Sequence, residues 1–299
     1  MSITIIKLIA AFSMLLDHIA TVFGIGGWWF FGGEILRNTG KIAFPLFVFA
    51  IVNGWYHTKD KQRYFYKLVL FSILSQIPYS LAFSPINLRT LDSGEKFFKI
   101  SLNYKIPILL FFGIILLCNY YFMKKNKISL EKHHKILFLL FLWNSVFIRI
   151  NGIEILYDQI NVLNTFICGL LIIQHYEFMK KNKIDKKYIC SVLNSAVFIL
   201  LSFFKADYGT YGAGIFLILL SYFTYHKKML NCIIIIIWSF IFYGILYSNL
   251  QNALFTIISV PFILLYNEKK LPRFKNFFYL FYPFHLLLLG ITNIIIKLY

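Results

Sequence analysis

The sequence predicts an all-helical fold: a polytopic transmembrane bundle of about eleven helices, range 9–11, with the amino terminus in the cytoplasm. Three observations predict it. The 299 residues are 59% apolar and 20% aromatic but only 14% charged, where a soluble domain carries about 25% charged residues. Apolar runs of spanning length recur along the whole chain. Between them the Lys residues fall in clusters at every second loop. Soluble α/β enzymes, secreted disulfide scaffolds and disordered chains are excluded. The net charge of +18 is a positive-inside signal and not a nucleic-acid surface.

The runs are, in order, Ile3–Phe23, Lys41–His57, Tyr64–Phe83, Tyr104–Phe122, Lys135–Ile150, Ile160–Tyr176, Tyr188–Phe204, Tyr211–Tyr225, Met229–Tyr247, Asn252–Tyr266 and Asn276–Lys297. The first carries Asp17 and His18 and has no small-residue cleavage site, so it reads as a membrane helix and not as a leader. Lys59, Lys61, Arg63 and Lys67 follow the second run. Lys124, Lys125, Lys127, Lys132 and Lys135 follow the fourth. Lys180, Lys181, Lys183, Lys186 and Lys187 follow the sixth, Lys227 and Lys228 the eighth, and Lys269, Lys270, Arg273 and Lys275 the tenth. This alternation places those loops inside and the carboxyl terminus outside.

Residues 1–299 read as one membrane domain with an internal duplication. FMKKNKI occurs at Phe122–Ile128 and again at Phe178–Ile184, with Gly113 and Gly169 at the same offset upstream. The repeat predicts a duplicated helical hairpin at 102–150 and 158–204. Cys118, Cys168, Cys190 and Cys232 each sit inside an apolar run and form no CxxC pair, so they read as small apolar residues.

Candidate functional residues are those that are expensive at bilayer depth. Asp17-His18 lies in KLIAAFSMLLDHIATVFG. The pair suits a general base, with the Asp orienting the imidazole, or a polar contact between helices. Glu34, Arg37 and Lys41 lie in EILRNTGKIAFPLF, with Gly40 and Pro45 flanking an irregular helix start. They suit an anion or ordinary interfacial snorkelling. Asp207, Tyr208, Tyr211 and Gly212 lie in a Gly-rich entry to the eighth run, which lines a cavity or makes a tight turn. Tyr282 and His285 lie in FYLFYPFHLLLLG after a kinking Pro283. His285 suits catalysis or a helix–helix hydrogen bond. His57, His133, His134 and His175 sit at Lys-rich ends, where interfacial positions explain them. No metal spacing, Walker A, GxGxxG or GxSxG motif is present, so no metal is implied.

These segments, taken in order, resemble the TraX family of bacterial membrane proteins. The resemblance rests on KLIAAFSMLLDHIA, LRNTGKIAFPLFVFAIVNGWYHT, SQIPYSLAF, INVLNTFICGLL, DYGTYGAGIFLILLSYF and FYLFYPFHLLLL. Two departures stand out. Lys41 occupies a position where the family usually has Arg, which keeps charge but loses the bidentate fork. Tyr104–Ile150 reads as an extra hairpin. The family resembles multi-spanning acyltransferases, so the resemblance implies transfer of an acetyl group from acetyl-CoA to an amine or hydroxyl. The acceptor would be a pilin-like peptide amine or an envelope glycan. By that resemblance Asp17, His18 and His285 would be catalytic and Arg37 and Lys41 would hold phosphates or an oxyanion. Asp207, Tyr208, Tyr211, Gly212 and Tyr282 would line the cavity. Acetyl-CoA is cytoplasmic whereas most of these groups lie toward the outside, so the cavity runs deep or the acyl group crosses the membrane. A proton-coupled transporter or flippase is the alternative, because intramembrane Asp, His and broken helices also serve carriers.

Overall fold

In the computed structural model the described residues are 1–23, 32–83, 98–102, 146–150, 153–156, 159–182, 206–209, 212–268 and 277–298. Among them eight helical passes build one bundle. Five of these passes are long and apolar enough to cross a membrane: Ile3–Phe23, Gly33–His57, Lys61–Phe83, Lys228–Leu246 and Phe277–Ile296. Val162–Gln174, Ala213–Thr224 and Leu250–Leu264 are apolar but shorter.

Helix α1 (Ile3–Phe23) has no Gly or Pro to interrupt it. Ile6, Ala10 and Met14 recur every four residues and are buried, whereas Leu8 and Phe12 are exposed. That outward apolar face is the surface that lipid covers in a membrane protein. Helix α2 (Gly32–Thr39) passes through a 3-10 turn (Gly40–Ile42) into α3 (Ala43–His57). Pro45 is accommodated in the first turn of α3, where its missing N–H has no helical partner to lose. Helix α3 is the centre of the bundle, with Leu46, Val48, Phe49, Val52 and Trp55 all buried.

Helix α4 (Lys61–Phe83) contains Pro78. Near it, the Ser75 hydroxyl donates to the Phe71 carbonyl and the Ser80 hydroxyl to the Gln76 carbonyl. Helix α5 (Val162–Asn182) packs on α4 through buried polar groups. Asn161 donates through Nδ2 to the Ser72 carbonyl at 3.0 Å and to Gln76 Oε1 at 2.8 Å, and its Oδ1 accepts from the Leu163 N–H.

Helix α6 (Ala213–Thr224) follows, then α7 (Lys228–Ser239), which continues as a π-helical segment, Phe240–Leu246. Short helices α8 (Leu250–Ile257) and α9 (Ser259–Leu264) make one return pass, and α10 (Phe277–Leu298) closes the bundle against α4. Helices α4 and α10 run parallel, since Phe71 stacks near Tyr279 while Asn293 donates to the Ala82 carbonyl.

The two ends of the bundle differ in charge. Lys59, Lys61, Arg63 and Lys67 sit with the carboxyl end of α5 and with Lys227 and Lys228, as the Lys61–Glu177 pair at 2.6 Å and the Tyr56–Tyr222 stack require. Asp17, Arg37, Lys41 and Asp207 gather toward the other end.

One expectation is corrected. The end of the run Lys135–Ile150 is not helical: Val146–Ile150 is strand β2, between β1 (Phe98–Leu102) and β3 (Ile153–Leu156) in an antiparallel sheet. Phe98 pairs with Ile150, and Ile150 with Ile153. Val, Phe and Ile favour a pleated surface, and the residues between β2 and β3 are Asn-Gly, the hairpin dipeptide. The remainder of that run, the runs Tyr104–Phe122 and Tyr188–Phe204, and most of the duplicated hairpin lie outside the described residues.

Candidate functional site

The carboxyl-terminal third of α1 carries Asp17, His18 and Thr21 along adjacent faces. His18 is buried, and its Nδ1 lies 2.8 Å from Nε2 of His285 on α10. The two rings stack 5.1 Å apart and 9° from parallel. Phe83 from the end of α4 meets the His18 ring edge-on. His285 Nδ1 is 2.7 Å from the Phe281 carbonyl one turn back on its own helix.

That carbonyl can only accept, so it fixes the proton order of the neutral pair. His285 Nδ1–H donates to Phe281, which leaves His285 Nε2 as an acceptor. His18 Nδ1–H then donates to it, and the lone pair of His18 sits on Nε2. His18 lines the cavity described below.

Asp17 has other partners. Its Oδ1 is 2.9 Å from Arg37 Nη1 and 3.9 Å from Lys41 Nζ. Arg37 also donates to the Thr21 hydroxyl, which in turn donates to the Asp17 carbonyl. Gly40 makes this arrangement possible, because a Cβ there would collide with the Asp17 side chain. The group at hydrogen-bond distance from His18 thus comes from the far end of the chain, and Asp17 gathers the two cations of α2 and the 3-10 turn. Glu34 is in the first turn of α2 and exposed.

The turn at 206–209 forms the facing wall. Its Asp207 N–H donates to the Ile160 carbonyl at 3.1 Å, and Thr165 Oγ1 donates to the Asp207 carbonyl at 2.7 Å. The Asp207 carboxyl takes a hydrogen bond from Tyr79, and burial pushes its pKa up to about 6 against the pull of Lys41 and Arg37. Tyr208 holds φ at 59°, a region non-glycine residues rarely occupy. Its ring lies flat on Phe44, with centroids 3.7 Å apart. Gly212 has φ 68° and begins α6, a conformation glycine adopts without steric penalty.

These groups enclose a cavity of about 660 Å³ lined by Asp17, His18, Arg37, Lys41, Asp207 and Tyr208. Gly212 shapes its wall through the turn but does not line it. Tyr282 is buried beside His285 and faces a second cavity. Tyr211 lies outside the described residues.

Sequence reasoning passed over Tyr79, Tyr243, Thr165, Gln76 and Asn161. Gln76 and Asn161 did carry a signal: each is an amide within or beside an apolar run, the same kind of expense that singled out Asp17. Tyr243 carried none, because aromatic residues are everywhere in this chain.

Residues 2–99 and 110–293 match the profile of the family described as TraX protein. The chain belongs to the TraX family. The matched region takes in α1 with Asp17 and His18, and α10 as far as Asn293, so every described residue of the candidate site lies within the TraX match. A curated relative, the probable fimbrial assembly protein FimC, serogroup H1, of Dichelobacter nodosus, is 37% identical over 84 residues. Those residues are 27% of this TraX chain, and the match spans about a third of the relative's length, 34%. No solved structure matches the chain.

Proposed function

We propose that this TraX protein is a membrane-embedded acyltransferase that moves an acetyl group from acetyl-CoA to an amine or hydroxyl acceptor. The observation that carries the reading is the Phe281–His285–His18 chain. It holds an unprotonated imidazole nitrogen at a cavity that also contains two cations. A general base contributes about 10²- to 10⁴-fold when it is within reach of the proton it takes.

In the reaction, His18 Nε2 takes the proton of the acceptor N–H or O–H. The acceptor heteroatom attacks the thioester carbonyl carbon. Negative charge develops on the carbonyl oxygen, and Lys41, with Arg37, is placed to stabilise it. The C–S bond then breaks, and the thiolate leaves with the proton held by His18. Asp17 is a positioning residue for both cations. The basic end of the bundle faces the cytoplasm of a bacterial cell by the positive-inside rule, so this cavity opens toward the outer face. A pilin-like amine fits that side and agrees with the name of the FimC relative, a fimbrial assembly protein; an envelope glycan hydroxyl is the other acceptor class.

The test uses the full chain in lipid nanodiscs with labelled acetyl-CoA and a peptide amine. Wild type is expected to release CoA thiol and label the amine, and His18→Ala to do neither while still inserting. Full activity in His18→Ala overturns the role given to that residue. One observation favours a carrier instead: the two cavities lie toward opposite ends of the bundle and share lining residues, the layout of a path between the two faces of a membrane. Proton-driven flux in proteoliposomes without CoA release would select that reading.

A further inference from the structure

A second cavity, of about 420 Å³, opens at the basic end of the bundle between α1, α3, α4, α5 and α10. Three cations line it: Lys7 from α1, with Arg63 and Lys67 from α4. Asp60, the carboxylate there, accepts the Arg63 backbone N–H at 2.8 Å, and Thr58 and exposed His57 also line the cavity. Lys7 and Lys67 lie over the rings of Phe278 and Tyr279 at 5.6 and 5.9 Å, so aromatic faces hold the ammonium groups beside the opening.

The inner part of this cavity is apolar, and it ends on residues that the His18 cavity also uses. Met14, Phe47, Val162 and Phe166 line both. They form a thin wall between two spaces that lie toward opposite ends of the molecule. Phe281 and Tyr282 line the second cavity too, and the Phe281 carbonyl is the one that sets the proton order of His285. Lys7 and His18 stand eleven positions apart on α1, about 16 Å along the axis. Cations at an opening, a narrow apolar interior and a reacting group beyond it match a phosphorylated thioester. Such a molecule has a polyanionic head, a slender pantetheine arm and an acyl group at the tip.

We propose that this second cavity receives the phosphates and pantetheine arm of the acyl-CoA donor. Donor and acceptor then enter from opposite ends and meet at the wall formed by Met14, Phe47, Val162 and Phe166. The inference rests on the acyltransferase reading and assigns it a donor site. It removes the conflict between a cytoplasmic donor and a site facing outward. Arg37 and Lys41 are left to the acceptor and the oxyanion, and the phosphates go to Lys7, Arg63 and Lys67. Met14 is the movable part of the wall, because its unbranched side chain re-packs at low cost.

The experiment measures acetyl-CoA binding to the full chain in nanodiscs by calorimetry. It compares wild type with Arg63→Gln/Lys67→Gln and with Lys41→Gln. Binding is expected to weaken about tenfold for each charge removed at the second cavity and to fall with added salt. Lys41→Gln is expected to bind like wild type or within a few-fold of it. A second readout places Thr58→Cys at the same cavity and follows its alkylation by a maleimide, which CoA is expected to slow. Unchanged affinity in the double variant with a large loss in Lys41→Gln overturns the inference and leaves the acyltransferase reading standing, with the donor in the His18 cavity. Failure of wild type to bind acetyl-CoA overturns that reading and this inference together. Co-purified phospholipid that protects Thr58→Cys and is not displaced by CoA overturns the donor assignment in favour of a lipid.

Discussion

Replacing His285 separates a base held in one protonation state from a base that is merely present. In His285→Ala the Nδ1–H of His18 loses its acceptor at 2.8 Å. An unsatisfied buried donor costs about 1–3 kcal/mol, a factor of roughly 5 to 150 in the population of the productive tautomer. The imidazole itself remains, so the loss in kcat falls in that range, whereas His18→Ala forfeits the full 10²- to 10⁴-fold of a general base. His285→Gln is the informative partner. Its Oε1 stands near the position of Nε2 and accepts from His18 Nδ1–H, so it restores most of the rate. The assay is CoA thiol release in nanodiscs under saturating acetyl-CoA, with circular dichroism as the check on folding. Two results refute the reasoning: His285→Ala within threefold of wild type, or His285→Gln no better than His285→Ala.

Further outcomes follow from other contacts. Gly40→Ala forces a Cβ into the Asp17 side chain and is expected to separate α2 from α1, with loss of activity and a lower thermal midpoint; an unchanged midpoint would contradict the close approach. Asn161→Ala removes two buried hydrogen bonds to α4 and a part-buried one at the start of α5 and is expected to cost about 3 kcal/mol, read as a fall in midpoint larger than that of Thr58→Ala. Glu177 accepts from Trp55, Lys61 and Tyr222, so Glu177→Ala loosens the basic end, which limited proteolysis near 180 would report. Asp207, in its turn, has a folded pKa of about 6 against 3.8 unfolded. The folded state therefore holds that proton more tightly, and wild type loses stability as pH rises from about 4 through 6. The midpoint of Asp207→Asn minus that of wild type is expected to grow over that interval; a constant difference would refute the assignment.

Much of the scaffold was legible because it is local. Ile3–Phe23 is both the apolar run and the helix, and Tyr64–Phe83 and Asn276–Lys297 differ from α4 and α10 by three residues at most. The second run began late at Lys41, because Glu34, Arg37 and Asn38 are polar and hid the amphipathic α2. The strand Val146–Ile150 was absorbed into an apolar run although Asn151-Gly152 stood beside it. In a chain this apolar, hydropathy outweighed the turn signal.

The site was legible as a set of costly residues and not as a set of pairs. Asp17 and His18 are neighbours in sequence, so an orienting contact between them was the natural expectation. The structure instead pairs His18 with a residue 267 positions away and Asp17 with one 20 away. Nothing in either local sequence encodes those distances, since they are set by how α1, α2 and α10 pack.

The π-helical stretch at 240–246 has a consequence for how this protein can vary in length. Phe242 and Tyr243 reach the His18 cavity from it, and Tyr247 does so from just past its end. A π turn holds one more residue than an α turn. Deleting a single residue there would restore ordinary α winding. The residues beyond the deletion would keep nearly the same bearing, because the flanking winding is already in register once the added residue is gone. The loss would fall on the rings of the turn itself, so that Phe242 and Tyr243 would no longer both face the cavity. Homologous chains that keep the cavity are therefore expected to keep this one additional residue.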